Sequence, residues 1–300
     1  MDFLRVADLG VDGLRAVLDR AAKVKGDPEP TRGILAGQRV GLFFEKPSTR
    51  TRVSCEVATL DLGGVPIVLK QDEVGLGSRE SVADVARVLD RYLDVLAFRV
   101  FRHGDLETLA AFADAPVINL LSDLEHPCQA LADLQTLAES RSLEGAVVAY
   151  VGDGNNVCNS LMIAGAAVGV TVRVATPPGY APPDAVVAEA RAIAADGAAV
   201  ILTEDPEEAV AGADAVYTDV WTSMGQEMEA TQRLAVFEPY RIDEELFALA
   251  AEDAIFLHCL PAHRGEEVTD AVMDHPRSRV FDQAENRLHA FKALLLHVVG

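Results

Sequence analysis

Lysine is scarce in this chain: Lys23, Lys25, Lys46, Lys70 and Lys292 are its only side-chain amines, and 26 Lys and Arg face 47 Asp and Glu for a formal charge of -21. No basic run offsets that charge, which sets the chain against nucleic acid and anionic membrane as partners. The acids are spread over predicted helices at Ala185 to Asp196 and Asp205 to Asp214. That pattern is a solvated acidic surface; a salt-adapted cytoplasm is the alternative, which full activity in low salt would count against. Long apolar runs are missing too. No stretch reaches bilayer length, and the N-terminus lacks the basic flank and apolar core of a signal peptide, so a cytoplasmic protein is expected. Cysteine is limited to Cys55, Cys128, Cys158 and Cys259, without C-x-x-C or zinc-like spacing. Four reduced thiols and no metal are expected. Aromatics are only 6% while half the residues are apolar, which favours helices on buried parallel strands over an all-β sandwich.

Three hundred residues exceed one comfortable hydrophobic core. The chain alternates apolar runs with helical patterns, the runs lying at Arg39 to Phe44, Val65 to Leu69, Val95 to Phe98 and Val117 to Asn119. After a helix around Cys128 to Ser140 the series restarts with Ala146 to Val151, Thr171 to Ala175, Ala198 to Leu202, Ala215 to Tyr217 and Ala254 to His258. The reading is α/β: two domains, each with a mainly parallel central sheet flanked by helices, over residues 1–130 and 131–284. Arg277 to Phe281 reads as a last short strand, and 285–300 as a terminal helix returning to the first domain. Pro177 to Pro183 is a loop, punctuated by Pro-Pro and Gly.

The most informative segment is Gly41-Leu-Phe-Phe-Glu-Lys-Pro-Ser-Thr-Arg-Thr-Arg52, a strand, a turn, and a helix opening at Ser48 or Thr49. A plain Ser/Thr cap leaves Arg50 and Arg52 unexplained, since a cation in a first turn opposes the helix dipole by about 0.3 to 1 kcal/mol. An anion resolves the conflict. Backbone N–H groups, hydroxyls and a guanidinium that grips two oxygens make a phosphate cradle.

Arg99 and His126-Pro-Cys-Gln129 also stand where apolar strands end, which is where open α/β sheets place ligands. A His before Pro is often a turn residue; beside the Ser-Thr-Arg-Thr turn, His126 and Gln129 suit a carbonyl oxygen and an amide. Further on, Gly152-Asp-Gly-Asn-Asn156 resembles a dinucleotide turn but has Val157 where the third glycine belongs. Asn155 and Asn156 fit either a helix cap or an amino-acid carboxylate. Asp219, in Asp219-Val-Trp-Thr-Ser-Met-Gly225, fits either an Asx turn or a cationic partner. Cys259 follows His258 at a buried strand end, a setting that usually means inert packing, and nothing marks it as a covalent nucleophile.

Taken in order, Ser48-Thr-Arg-Thr51, His126-Pro-Cys-Gln129, Asp153-Gly-Asn-Asn156, Asp219 with Ser223-Met-Gly225, and His258-Cys-Leu-Pro261 resemble the ornithine carbamoyltransferases. The first two motifs are general to carbamoyltransferases; Ser-Met-Gly and His-Cys-Leu-Pro point to ornithine. The resemblance implies a carbamoyl-phosphate domain, an L-ornithine domain, a homotrimer and no cofactor. It implies that Ser48, Thr49, Arg50, Thr51 and Arg99 hold the phosphate, and that His126, Gln129 and Arg287 hold the carbamoyl end. Cys259 and Leu260 would close over the amide, while Asn156, Asp219, Ser223 and Met224 would bind ornithine. Cys259, Asp219, Arg99 and His126 are the expected catalytic groups. One position departs: Gly75 stands where relatives often carry a Gln that reaches a neighbouring subunit's substrate. The competing readings are carbamoyl transfer to N-acetylornithine, putrescine or aspartate, a nucleotide-linked oxidoreductase, and a non-catalytic carbamoyl-phosphate-binding regulatory subunit.

Overall fold

A computed structural model of the chain describes residues 1–222 and 230–300. It divides into a first unit, residues 1–135 with 285–300, and a second, residues 136–284.

The first unit opens with α1 (Gly10–Gly26), whose Leu14, Val17, Leu18, Ala21 and Val24 recur at helical spacing and are buried. Then come β1 (Arg39–Phe44), α2 (Thr49–Asp61), β2 (Val65–Lys70), α3 (Gln71–Val74), α4 (Val82–Leu89), β3 (Val95–Arg99), α5 (His103–Phe112), β4 (Val117–Leu121) and α6 (Pro127–Ser140). The four strands pair in parallel in the order β2-β1-β3-β4. Continuous apolar runs make β1, β3 and β4 almost wholly buried, whereas β2 lies at the edge. The edge position is what admits Pro66, which has no N–H to give. Phe43 and Phe98 stack at 4.8 Å in a core shared with Leu96, Leu106, Leu109 and Val117.

The second unit follows with β5 (Val147–Val151), α7 (Asn156–Ala167), β6 (Thr171–Ala175), α8 (Asp184–Ala192), β7 (Val200–Thr203), α9 (Pro206–Val210), β8 (Ala215–Thr218), α10 (Ala230–Phe237), α11 (Glu244–Phe247), β9 (Ile255–His258), α12 (Asp270–Met273) and α13 (Val280–Val299), the last running on into the first unit. Its parallel sheet has the order β7-β6-β5-β8-β9. Both units are thus α/β with parallel central sheets, as the alternation of runs indicates. The helices over 185–196 and 205–214 are shorter than expected. No helix among the described residues is long and apolar enough to cross a membrane.

The strand expected at Arg277 to Phe281 does not form. Only Ser278 bridges to Phe256, and α13 begins at Val280. Burial explains the difference: Val280, Gln283, Arg287 and Ala290 are buried while Phe281 is exposed, a helical rather than an alternating period.

Candidate active site

In the first unit the strand order reverses between β1 and β3, which opens a crevice beyond their carboxyl ends. The register sets Phe44 beside Arg99 and Arg99 beside Leu121. Glu45 fastens two of the emerging turns together: its N–H donates to Arg99 O at 3.0 Å, and its carboxylate accepts the Phe101 N–H at 2.7 Å. Ser48 stands in the cap position of α2 yet makes no capping bond; its Oγ donates to Thr51 Oγ1 at 3.0 Å. The first turn of α2 is therefore not closed by its own serine. Arg52, one of the two cations that the cap reading leaves unexplained, pairs with Glu56 at 2.6 Å on the surface. Arg50 and Thr49 stay on the first turn with Ser48.

Buried Thr51 links this turn to two other segments. Arg287, from α13, donates to Thr51 Oγ1 at 2.8 Å and to Gln129 Oε1 at 2.6 Å, and Gln129 Nε2 donates to Asp133 at 2.7 Å. His126 is buried at the start of α6, where burial, then the charges of Arg287 and Arg99, hold its imidazole well below the usual histidine range. A neutral ring offers one donor and one acceptor. Its neighbour Glu125, fully buried, accepts from Arg5 Nε at 2.8 Å and Val6 N–H at 2.9 Å, anchoring the chain where α6 begins. The first unit thus joins Ser48, Thr51, Gln129 and Arg287 by hydrogen bonds, with Thr49 and Arg50 on the same helical turn, Arg99 at the carboxyl end of β3 and His126 beyond that of β4.

In the second unit the order reverses between β5 and β8. Asn155 caps α7, its Oδ1 accepting from Val157 N–H at 3.0 Å and Cys158 N–H at 3.1 Å. Its Nδ2 donates to Asp219 Oδ2 at 2.8 Å. The register pairs Thr218 with His258, so Asp219 and Cys259 leave β8 and β9 side by side, and the Cys259 thiol donates to Asp219 Oδ1 at 2.9 Å. Asp219 is buried and bridges these two donors, so the Asx-turn reading does not account for it. Cys259 is partly exposed, unlike the other three free thiols, all buried.

The segment after Cys259 is fixed by His258. Its Nδ1 accepts the Leu260 N–H at 2.9 Å, so the ring proton lies on Nε2, 3.1 Å from fully buried Glu267. That grip holds Leu260 at φ +59°, a left-handed conformation that costs a non-glycine residue about 1 to 3 kcal/mol. Distance alone would let Asp219, His258 and Cys259 hold a metal ion, but both His258 nitrogens are already engaged.

The Gly152 to Asn156 turn is not open to a dinucleotide in the usual way. The chain's own loop occupies the close approach: Gly154 N–H donates to Tyr180 O at 2.9 Å, and a Cβ on Gly154 would lie 2.3 Å from Pro182 N.

Models of two domains match the chain: "Aspartate/ornithine carbamoyltransferase, carbamoyl-P binding domain" over residues 1–139 and "Aspartate/ornithine carbamoyltransferase, Asp/Orn binding domain" over residues 144–298. The chain belongs to the aspartate/ornithine carbamoyltransferase family. Ornithine carbamoyltransferase of Synechocystis sp. is 52% identical over 100% of this chain and 96% of its own length. The Acidothermus cellulolyticus enzyme of the same name is 54% identical over 98% and 95%. The solved ornithine carbamoyltransferase from Pyrococcus furiosus superposes with a TM-score of 0.96 at 49% identity, over 100% of this chain and 97% of that one.

Within this carbamoyltransferase, two residues expected to bind substrate, Ser223 and Met224, lie outside the described residues. Asn156 begins α7, directly after the capping Asn155. Sequence reasoning offers Asn155 as one of two candidate caps without its bond to Asp219, and it misses Glu125, Glu267 and Arg233. This buried guanidinium donates to Trp221 O at 2.6 Å, pairs with Asp153 at 2.5 Å and lies over the rings of Tyr180 and Phe237 at 4.8 and 5.0 Å. A lone Arg in a helical pattern carries no signal for such a role, whereas Glu267, nine residues past His258, stands in a His-rich stretch that a closer reading could have flagged.

Proposed function

We propose that the chain transfers the carbamoyl group of carbamoyl phosphate to the side-chain amine of L-ornithine, giving L-citrulline and phosphate. The observation that carries this reading is the buried carboxylate of Asp219 in direct contact with the Cys259 thiol. It suits a cationic amine and opposes an aspartate substrate. Family membership supports the reaction class.

Ser48, Thr49, Arg50, Thr51 and Arg99 take the phosphate, and His126, Gln129 and Arg287 take the carbamoyl end. Asn156, Asp219, Ser223 and Met224 take ornithine, with Cys259 and Leu260 over the amide. An alkyl amine titrates near 10, so presenting it neutral at pH 8 costs about 3 kcal/mol. Asp219 and Cys259 select and orient that form. The amine lone pair attacks the carbonyl carbon, and the oxyanion meets donors from Thr51, Arg99 and His126. The bond to the phosphate oxygen then breaks, and phosphate departs with the electron pair, held by Arg50, and takes up the proton that the attacking nitrogen loses. Holding two substrates in line contributes up to about 7 to 11 kcal/mol.

A homotrimer in the cytoplasm, serving arginine metabolism, completes the proposal. Val53, Val57 and Leu60 form an exposed apolar stripe along α2, and Val65 and Ile67 are exposed on edge strand β2. Such a stripe suits burial against another copy. Light scattering should give three times the 32.1 kDa chain mass.

The deciding experiment offers ornithine, N-acetylornithine, putrescine and aspartate in parallel with carbamoyl phosphate, following phosphate and citrulline. Both products with ornithine alone are expected. Release with another amine would reassign the acceptor, and no release with any would leave a regulatory binding protein.

A further inference from the structure

We propose that Asn155 is a positioning residue that fixes the rotation of the Asp219 carboxylate, so that one oxygen is always presented to the Cys259 thiol and the incoming amine. The inference rests on the carbamoyl-transfer reading above and adds a residue to it.

A carboxylate turns easily about its last bond, where the rotamer wells are broad and twofold. With Cys259 as its one partner, Asp219 could swing either oxygen toward the thiol. The second partner removes that freedom: Asn155 Nδ2 donates to Oδ2 at 2.8 Å while Cys259 donates to Oδ1 at 2.9 Å. The two oxygens are thereby given different tasks.

Asn155 can serve as a reference only if its own amide cannot flip. Amide oxygen and nitrogen are often interchangeable in a structure, but here the chemistry decides. Val157 N–H, Cys158 N–H and the Tyr150 hydroxyl all converge on Oδ1, at 3.0, 3.1 and 3.3 Å. A flipped amide would set its NH2 against two backbone donors. Tyr150 is itself a dependable donor, since burial, reinforced by the charge of Asp219, pushes its hydroxyl well above the usual tyrosine range. The orientation of Asp219 is thus inherited from the first turn of α7, a helix whose residues from Val157 to Ala167 are all buried.

The test compares Asn155→Asp and Asn155→Ser with the wild-type enzyme. Aspartate and serine both cap helices about as well as asparagine. Aspartate replaces the donor by a second acceptor, and serine is too short to reach Asp219. In both, kcat/KM for ornithine should fall by about tenfold to a hundredfold, the range expected when a hydrogen bond to a charged group is lost. KM for carbamoyl phosphate should stay within about twofold. Tyr150→Phe should lose less than about threefold, because two backbone donors still hold the amide. A role confined to the helix cap, which both variants keep, would leave kcat/KM for the acceptor at its wild-type level. Wild-type kcat/KM for the acceptor in either folded variant would overturn the proposal, and so would loss of the fold in both, which would assign Asn155 a structural role. The ratio of variant to wild type is read with whichever amine the wild-type enzyme carbamoylates, so a wrong acceptor and a wrong role for Asn155 give different results.

Discussion

Replacing Arg287 by lysine keeps the charge on α13 but removes the fork that spans two acceptors. In the wild-type protein one guanidinium nitrogen meets Gln129 Oε1 at 2.6 Å and the other meets Thr51 Oγ1 at 2.8 Å, all three residues being buried. A single ammonium keeps at most one of these bonds in good geometry. Hydrogen bonds to charged groups are worth about 1.5 to 3 kcal/mol each, and an acceptor left buried without its donor costs a similar amount. Expressed on substrate binding, losing one such bond raises KM for carbamoyl phosphate about tenfold to a hundredfold. KM for ornithine should change by less than about threefold, because Arg287 belongs to the first unit and its proposed role is at the carbamoyl end. Initial rates with each substrate varied in turn, beside a thermal melt showing a folded variant, supply the comparison. Unchanged KM for carbamoyl phosphate in folded Arg287→Lys would show that the bridge is scaffolding only.

Other outcomes follow from the same geometry. Cys259→Ser should slow turnover without abolishing it, since the proposed role of the thiol is to orient the amine and not to form a covalent bond; a trapped thiol adduct, or complete loss with the fold intact, would contradict that. His126 should make the fold sensitive to acid. Its folded value lies well below the unfolded one of about 6.5, so between the two the unfolded chain binds the extra proton, and stability falls as pH drops from about 6.5 toward the lowered value. In His126→Gln the slope of stability against pH in that window should shrink, by at most about 1.4 kcal/mol per pH unit; an identical slope in calorimetric melts would remove His126 as the cause. Gly154→Ala should destabilise by about 1 to 3 kcal/mol or more. The new Cβ would meet backbone at Pro182 and Tyr180, at 2.3 and 2.6 Å, where no flexible side chain can yield. An unchanged Tm would refute the clash.

Much of the fold is legible from apolar runs because parallel strands buried on both faces must be continuous in sequence. Arg39 to Phe44 and Thr171 to Ala175 end where the runs end. Arg277 to Phe281 misleads because Val280 and Phe281 have strand-forming side chains, while burial follows a three-to-four period visible only once Phe281 is seen to face outward. In the first unit's site the strand-end polar residues could be read from position alone. The network among them could not, because it depends on Arg287, which is 158 residues from Gln129 and 236 from Thr51. Asn155 illustrates a different limit. Its neighbour Asn156 has the same side chain, and only the turn of the backbone decides which of the two caps α7 and reaches Asp219.

The first unit is written in two pieces, with the whole second unit between them. During synthesis Ser48 to Thr51 and His126 to Gln129 emerge early, but the guanidinium that joins Thr51 to Gln129 and the ammonium of Lys292 that pairs with Asp61 arrive only after residue 284 has been added. A ribosome-bound chain can complete the contiguous second unit while the first still lacks these contacts. Half-made chains therefore leave Thr51 and Gln129 unjoined and Asp61 without its ammonium, so the first unit closes its own hydrogen-bond network only after the second has been made.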